Sequence, residues 1–160
     1  MLEADFASHH IEGYARMAME AGLDGYFKVP LISEVLPGLW QGGCRNGVEL
    51  SGFDLVVALY QGERYRRGRG VNRHDFHAYD ASEVPDLSAA VALAHAEWKA
   101  GKRVLIHCQA GLNRSGLVAA QVLMREGYAP SEAIALLRDK RCPLVPCNQA
   151  FERWLMEQEA

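Results

Sequence analysis

Apolar positions in this chain fall into short runs and helical stripes. Residues 53–60, FDLVVALY, form a β-branched apolar run between turn signals, which predicts a buried strand. Residues 103–107, RVLIH, predict another, and 71–79, VNRHDFHAY, alternate as a third. Residues 26–43, YFKVPLISEVLPGLWQGG, read as extended, because Pro30 and Pro37 break any helix; Gly42 and Gly43 mark a turn. Helical spacing and caps predict helices over 8–21, with Ser8 as N-cap, and over 88–100, with Ser88 as N-cap and Gly101 beyond the end. Further helices are predicted over 115–126, from Ser131 onward, and over about 148–158, with Trp98 and Trp154 as core anchors. Strands alternating with helices predict an α/β fold with a mostly parallel central β-sheet flanked by helices. Ligands in such sheets bind at the carboxyl ends of strands.

Composition narrows the classes. The 160 residues suit one domain, and a net charge of -3 gives no general affinity for nucleic acid or anionic membrane. No apolar run approaches the roughly 20 residues that cross a bilayer. The first residues, MLEADFASHHIEG, lack the basic start and apolar core of a signal peptide. Cys44, Cys108, Cys142 and Cys147 show no paired Cys-x-x-Cys spacing, so free thiols in a reducing cytoplasm are expected. No metal spacing joins His9, His10, His74, His77 and His95, and no cofactor is implied.

Candidate chemistry concentrates where the strand 103–107 meets the next helix, in VLIHCQAGLNRSGLVAAQVLM. A loop entering a helix presents unpartnered N–H groups and the positive end of the dipole, and so binds anions. Gln109, Ala110, Gly111, Leu112 and Asn113 are enough to wrap one tetrahedral anion, with Gly111 allowing close approach or positive φ. Arg114 can close the ring with its planar fork. The same field lowers the pKa of Cys108 and makes it nucleophilic. Ser115 can offer its hydroxyl to the sulfur and ease its departure.

HCQAGLNRS, residues 107–115, matches the HCxxGxxR(S/T) signature, so the chain resembles the cysteine-dependent protein tyrosine phosphatase superfamily. The resemblance implies that fold, with Cys108 as nucleophile, residues 108–114 as phosphate-binding loop, Arg114 stabilising the transition state and His107 bracing the loop. It is similar to a compact, atypical dual-specificity phosphatase over roughly residues 33–157, with LPGLWQGG as opening strand and turn and NQAFERWL as closing helix. Residues 1–32 are then an N-terminal helical extension and 33–160 the catalytic domain.

A leaving alkoxide needs a proton donor. Asp75, Asp80 and Asp86 all precede the loop. The resemblance implies Asp80, 28 residues before Cys108, with Asp86 as runner-up. The implied partner is a phosphorylated protein or peptide, and the implied reaction is phosphomonoester hydrolysis through a cysteinyl phosphate. RNA 5′-triphosphatase, phosphoinositide phosphatase and a non-catalytic phosphoprotein-binding module are the alternatives. The uncharged QAGLN offers no cation for a second phosphate and disfavours phosphoinositides. Arg64, Arg66, Arg67, Arg69 and Arg73 crowd one stretch, read as a solvated connection or a secondary anion site. Cys142 and Cys147, flanking PLVP, are packing thiols or redox partners for Cys108.

Overall fold

The computed structural model describes residues 3–5 and 28–158. The helix expected over 8–21 therefore lies outside the described residues. Strands β1 (Glu3–Asp5) and β2 (Lys28–Pro30) pair antiparallel. The main sheet holds β3 (Ile32–Leu36), β4 (Leu39–Gly42), β6 (Leu55–Ala58), β8 (Asn72–Asp75) and β9 (Val104–His107). Its spatial order is β3-β4-β9-β6-β8; β3 and β4 form an antiparallel hairpin and every other pairing is parallel. Two short strands, β5 (Glu49–Leu50) and β7 (Arg66–Arg67), pair separately.

The hairpin turns at Pro37 and Gly38. Proline presets the first turn φ, and Gly38 takes the positive φ of 82° that the second position of a type II turn demands. The expected turn at Gly42 and Gly43 lies further on, at Asn46 and Gly47; Gly42 ends β4. Smallness explains both glycines. A Cβ on Gly42 would meet the Leu31 carbonyl oxygen at 2.4 Å, and one on Gly43 the Gln109 carbonyl oxygen at 2.4 Å. The end of β4 thus packs backbone against backbone on the loop after β9.

All four residues of β6 and of β9 are buried, as parallel strands covered on both faces must be. Helices α1 (Ser88–Lys99) and α2 (Arg114–Arg125) pack on this centre, α2 also touching β4. Helix α2 is the hub: α1, α3 (Pro130–Lys140) and α4 (Gln149–Glu157) all contact it. Leu117, Val118, Val122 and Leu123 of α2 are fully buried. At roughly 1.5–3 kcal/mol per buried aliphatic side chain, this stripe anchors the helix and with it the loop that precedes it.

Ser88 does not cap α1 through its side chain; it is the first helical residue, and its N–H donates to Asp86 Oδ1 at 3.0 Å. Asp86 therefore takes the capping role expected of Ser88. On α4 the cap is Asn148, whose Oδ1 accepts from Ala150 and Phe151 N–H. Trp98 and Trp154 lie half-buried against the core, with Trp98 Nε1 donating to the Pro37 carbonyl at 3.0 Å.

Candidate active site

Strand β9 delivers Cys108 to the carboxyl edge of the sheet, directly before α2. Hydrogen bonding continues past the strand, with Cys108 N–H donating to the Gly42 carbonyl at 3.1 Å. The loop 109–113 then folds back, and Gly111 takes φ 75°. A Cβ there would sit 2.5 Å from both the Gly42 carbonyl carbon and Arg141 Nη2. Both reasons for glycine, positive φ and close approach, therefore apply at once.

Burial alone pushes the Cys108 thiol up. The Arg114 charge, the Ser115 hydroxyl and N–H, and the Gly111 N–H outweigh it and bring the thiol below its ordinary value. Ser115 Oγ lies 3.2 Å from Cys108 Sγ. The Arg114 guanidinium lies 5.3 Å above the Tyr60 ring, and its Nε is buried with no partner among the described residues. A buried donor left open beside a thiolate loop suits an oxyanion.

His107 is fully buried and ties two elements together. Its Nδ1 lies 3.0 Å from the Cys108 carbonyl, which can only accept, so Nδ1 carries the proton. Nε2 then accepts from the Tyr65 phenol at 2.6 Å. Burial pushes this histidine down to about 4, so the neutral form carries the chain Tyr65–His107–Cys108.

Asp80 meets the loop through Asn113. Its Oδ2 accepts from Asn113 Nδ2 at 2.9 Å and its Oδ1 from Asn148 Nδ2 at 2.8 Å. Asn113 Oδ1 in turn accepts from the N–H groups of Cys147 and Asn148. One asparagine thus joins the loop, the aspartate segment and the start of α4. Asp75 is engaged by Arg73 at 2.7 Å, and Asp86 by the start of α1.

Two of the loop side chains expected to line the anion pocket, Leu112 and Asn113, are engaged elsewhere. Leu112 is packed into the core, and the Asn113 side chain is occupied by Asp80, Cys147 and Asn148. The lack of charge at these two positions therefore reports on packing, and there the loop can meet an anion only through its backbone. A second guanidinium does lie close: Arg141, buried beneath the loop. It donates to the Gly111 carbonyl at 3.2 Å, the Ala110 carbonyl at 3.3 Å, Ser33 Oγ at 3.2 Å and the Pro30 carbonyl. Drawing two loop carbonyls toward one side leaves the loop N–H groups for the other.

Reading the sequence also missed Gln41, fully buried on β4. Its Nε2 donates to the Gly111 carbonyl at 2.9 Å and to Ser115 Oγ at 3.0 Å. The available signal was a polar residue inside LWQG, at a position a covered strand would leave apolar. Arg141, Tyr60 and Tyr65 carried no comparable signal. Among the other thiols, Cys44 donates its N–H to the Gln109 carbonyl at 3.0 Å and Cys147 its N–H to the Asn113 side chain at 2.8 Å. All four cysteines are free, and burial pushes Cys147 up to about 12.

A low-pKa thiol facing an arginine and the Gly111 and Ser115 N–H groups, at the carboxyl edge of this sheet, defines a class: cysteine-dependent phosphatases. Comparison with known proteins agrees. Residues 51–160 match the family model described as dual specificity phosphatase, catalytic domain, and the chain belongs to that family of protein phosphatases. Protein 123R of Invertebrate iridescent virus 6 is 30% identical over 77% of this chain and 93% of its own. Dual specificity protein phosphatase 26 of Rattus norvegicus is 31% identical over 77% of this chain. The matched region spans 64% of that rat protein and 43% of Dual specificity protein phosphatase 2 of Homo sapiens. The crystal structure of human DUSP28 superposes with a TM-score of 0.67 at 24% identity, covering 81% of this chain and 93% of that one.

Proposed function

We propose that this chain hydrolyses phosphomonoesters on protein tyrosine, serine or threonine side chains through a cysteinyl phosphate. The observation that carries the reading is the low-pKa Cys108, with Ser115 at 3.2 Å and the unpartnered Arg114 Nε beside it. Cys108 attacks phosphorus in line as the ester oxygen departs with a proton from Asp80. Arg114 and the loop N–H groups hold the three equatorial oxygens, where preorganised donors count most. Water then attacks phosphorus, the P–S bond breaks, and Asp80 takes the water's proton. Thiolate, guanidinium and the protonated Asp80 carboxyl supply nucleophile, charge and proton, so the scheme requires no metal.

C108S should abolish hydrolysis of an aryl phosphate while retaining phosphate binding, and D80N should slow turnover while leaving thiol alkylation at neutral pH intact. Full activity in C108S would sink the reading. Phosphotyrosine and phosphothreonine peptides, inositol phosphates and 5′-triphosphate RNA assayed together identify the preferred ester.

The arginine stretch supports a substrate with an acidic or phosphorylated flank. Tyr65 turns inward to His107, while its neighbours Arg64 and Arg66 are exposed. Arg64, Arg66, Arg67 and Arg69 are exposed and form no ion pair among the described residues. Arg64 also bonds Asn46, two residues beyond loop-bound Cys44, so this edge adjoins the site. Phosphopeptides with acidic flanks should show a lower KM than neutral ones at low salt. That difference should vanish in R66A/R67A/R69A.

A further inference from the structure

The buried amide of Gln41 has a geometry that the reaction scheme above does not use. Nothing in the packing of β4 calls for a polar side chain, since its neighbours there are Leu39, Trp40 and Gly42. Gln41 is nonetheless fully buried, and its Oε1 has no partner. An unsatisfied buried carbonyl carries a standing cost, so the Nε2 end must matter more than the Oε1 end loses.

The orientation of the amide is not ambiguous. Nε2 lies 2.9 Å from the Gly111 carbonyl, which can only accept. A flipped amide would set Oε1 against that oxygen with no proton between them. With Nε2 so placed, its second proton points at Ser115 Oγ, 3.0 Å away. Ser115 Oγ therefore accepts from Gln41 and keeps one proton to give. Two acceptors stand within reach of it: the Gly42 carbonyl at 3.2 Å and Cys108 Sγ at 3.2 Å. Gln41 occupies the accepting side of the hydroxyl and confines its proton to the arc between carbonyl and sulfur. Donation into Oγ also polarises the O–H bond, since hydrogen bonds in a chain reinforce one another at low dielectric.

We infer that Gln41 is a positioning residue, acting through Ser115 on the second chemical step, the hydrolysis of the cysteinyl phosphate. The inference rests on the phosphatase reading above. In that step water adds to phosphorus, the P–S bond breaks, and its electron pair goes to Sγ. The proton of the water goes to Asp80. Ser115 transfers no proton; its O–H stabilises the charge arriving on sulfur, and Gln41 keeps that O–H aimed. The first step depends on it less, because Arg114 and the Ser115 and Gly111 N–H groups hold the thiolate alongside the hydroxyl.

The test is the kinetics of Q41M, near in length and without a donor, beside Q41L, S115A and Q41M/S115A, using an aryl phosphate. The expected result is a kcat lowered about tenfold in Q41M, with kcat/KM nearly unchanged. A burst of aryl alcohol should appear, with phosphocysteine trapped by acid quench. Q41M/S115A should be no slower than S115A, because both act through one hydroxyl. Any of four results overturns the inference: kcat unchanged in Q41M, kcat and kcat/KM falling together without a burst, multiplicative effects in the double variant, or loss of fold in both Q41M and Q41L, which would make Gln41 a structural residue. Normal wild-type turnover beside an unaffected Q41M removes this inference alone. A wild type with neither turnover nor phosphocysteine on any phosphomonoester removes the phosphatase reading, and this inference with it.

Discussion

Two groups of arginines in this molecule show how placement sets what a guanidinium does. Arg141 is buried under the loop, with its donors committed to the Ala110, Gly111 and Pro30 carbonyls and to Ser33. Arg114 opens α2, with its guanidinium over the Tyr60 ring and its buried Nε open. The arginines of residues 64–69 stand in water, Arg66 and Arg67 on a short strand and Arg64 and Arg69 on either side of it. In the first group, low dielectric makes each hydrogen bond strong and each missing partner costly. In the second, water screens the charge, and the arginines can act only on something that comes to them. One side chain therefore serves as clamp, as anion ligand and as surface charge.

The contrast can be tested in descending order of effect. R141M should be the most damaging. It removes the donors from two buried carbonyls and a part-buried one, at a cost of about 3–5 kcal/mol in denaturant unfolding, and should lower activity as the loop relaxes. A loss below about 1 kcal/mol would mean that the loop supports itself.

Next comes pH. His107 is neutral in the fold, with its pKa near 4, and ionises near 6.5 when unfolded. Between those values the unfolded chain binds the extra proton. Its contribution is therefore full above pH 6.5 and fades as pH falls toward 4, by on the order of 3 kcal/mol. The stability of H107N, followed over the same range, should lack that portion of the decline.

R114K retains charge but loses the fork. It should lower kcat by about a hundredfold with little change in unfolding free energy. An equal fall in stability would place Arg114 with Arg141 as a clamp. At the bottom, R66A/R67A/R69A should shift stability by about 0.5 kcal/mol per residue or less. Its effect on KM for acid-flanked peptides should shrink as salt rises.

Much of the fold was legible because local rules and tertiary packing agree. Strands 53–60 and 103–107 carry enough consecutive apolar residues to be buried in any sheet. Three of the four described helices bear a capping residue or a terminal glycine at one end, and the fourth, α3, opens on Pro130. Boundaries shifted where side chains outside the pattern competed, as when Asp86 took the cap expected of Ser88. The site was legible where residues lie next to each other in the chain: Cys108, Arg114 and Ser115 are set by one strand-loop-helix. Asp80 came only through resemblance, and the structure shows it held by Asn113 and Asn148. The uncharged QAGLN was over-read, because side-chain direction depends on the core that Leu112 enters and on the partners Asn113 finds.

By itself the sequence determined the elements, the mostly parallel α/β arrangement and the thiol at a helix start, since these follow from periodicity and from spacing within a few residues. Tertiary structure alone decided which distant groups complete the site. Gln41 reaches Ser115 across 74 positions, Tyr65 reaches His107 across 42, and Arg141 reaches Gly111 across 30. The physical reason is that a buried donor or acceptor must find a partner wherever the packed chain brings one, and no local pattern records which that will be.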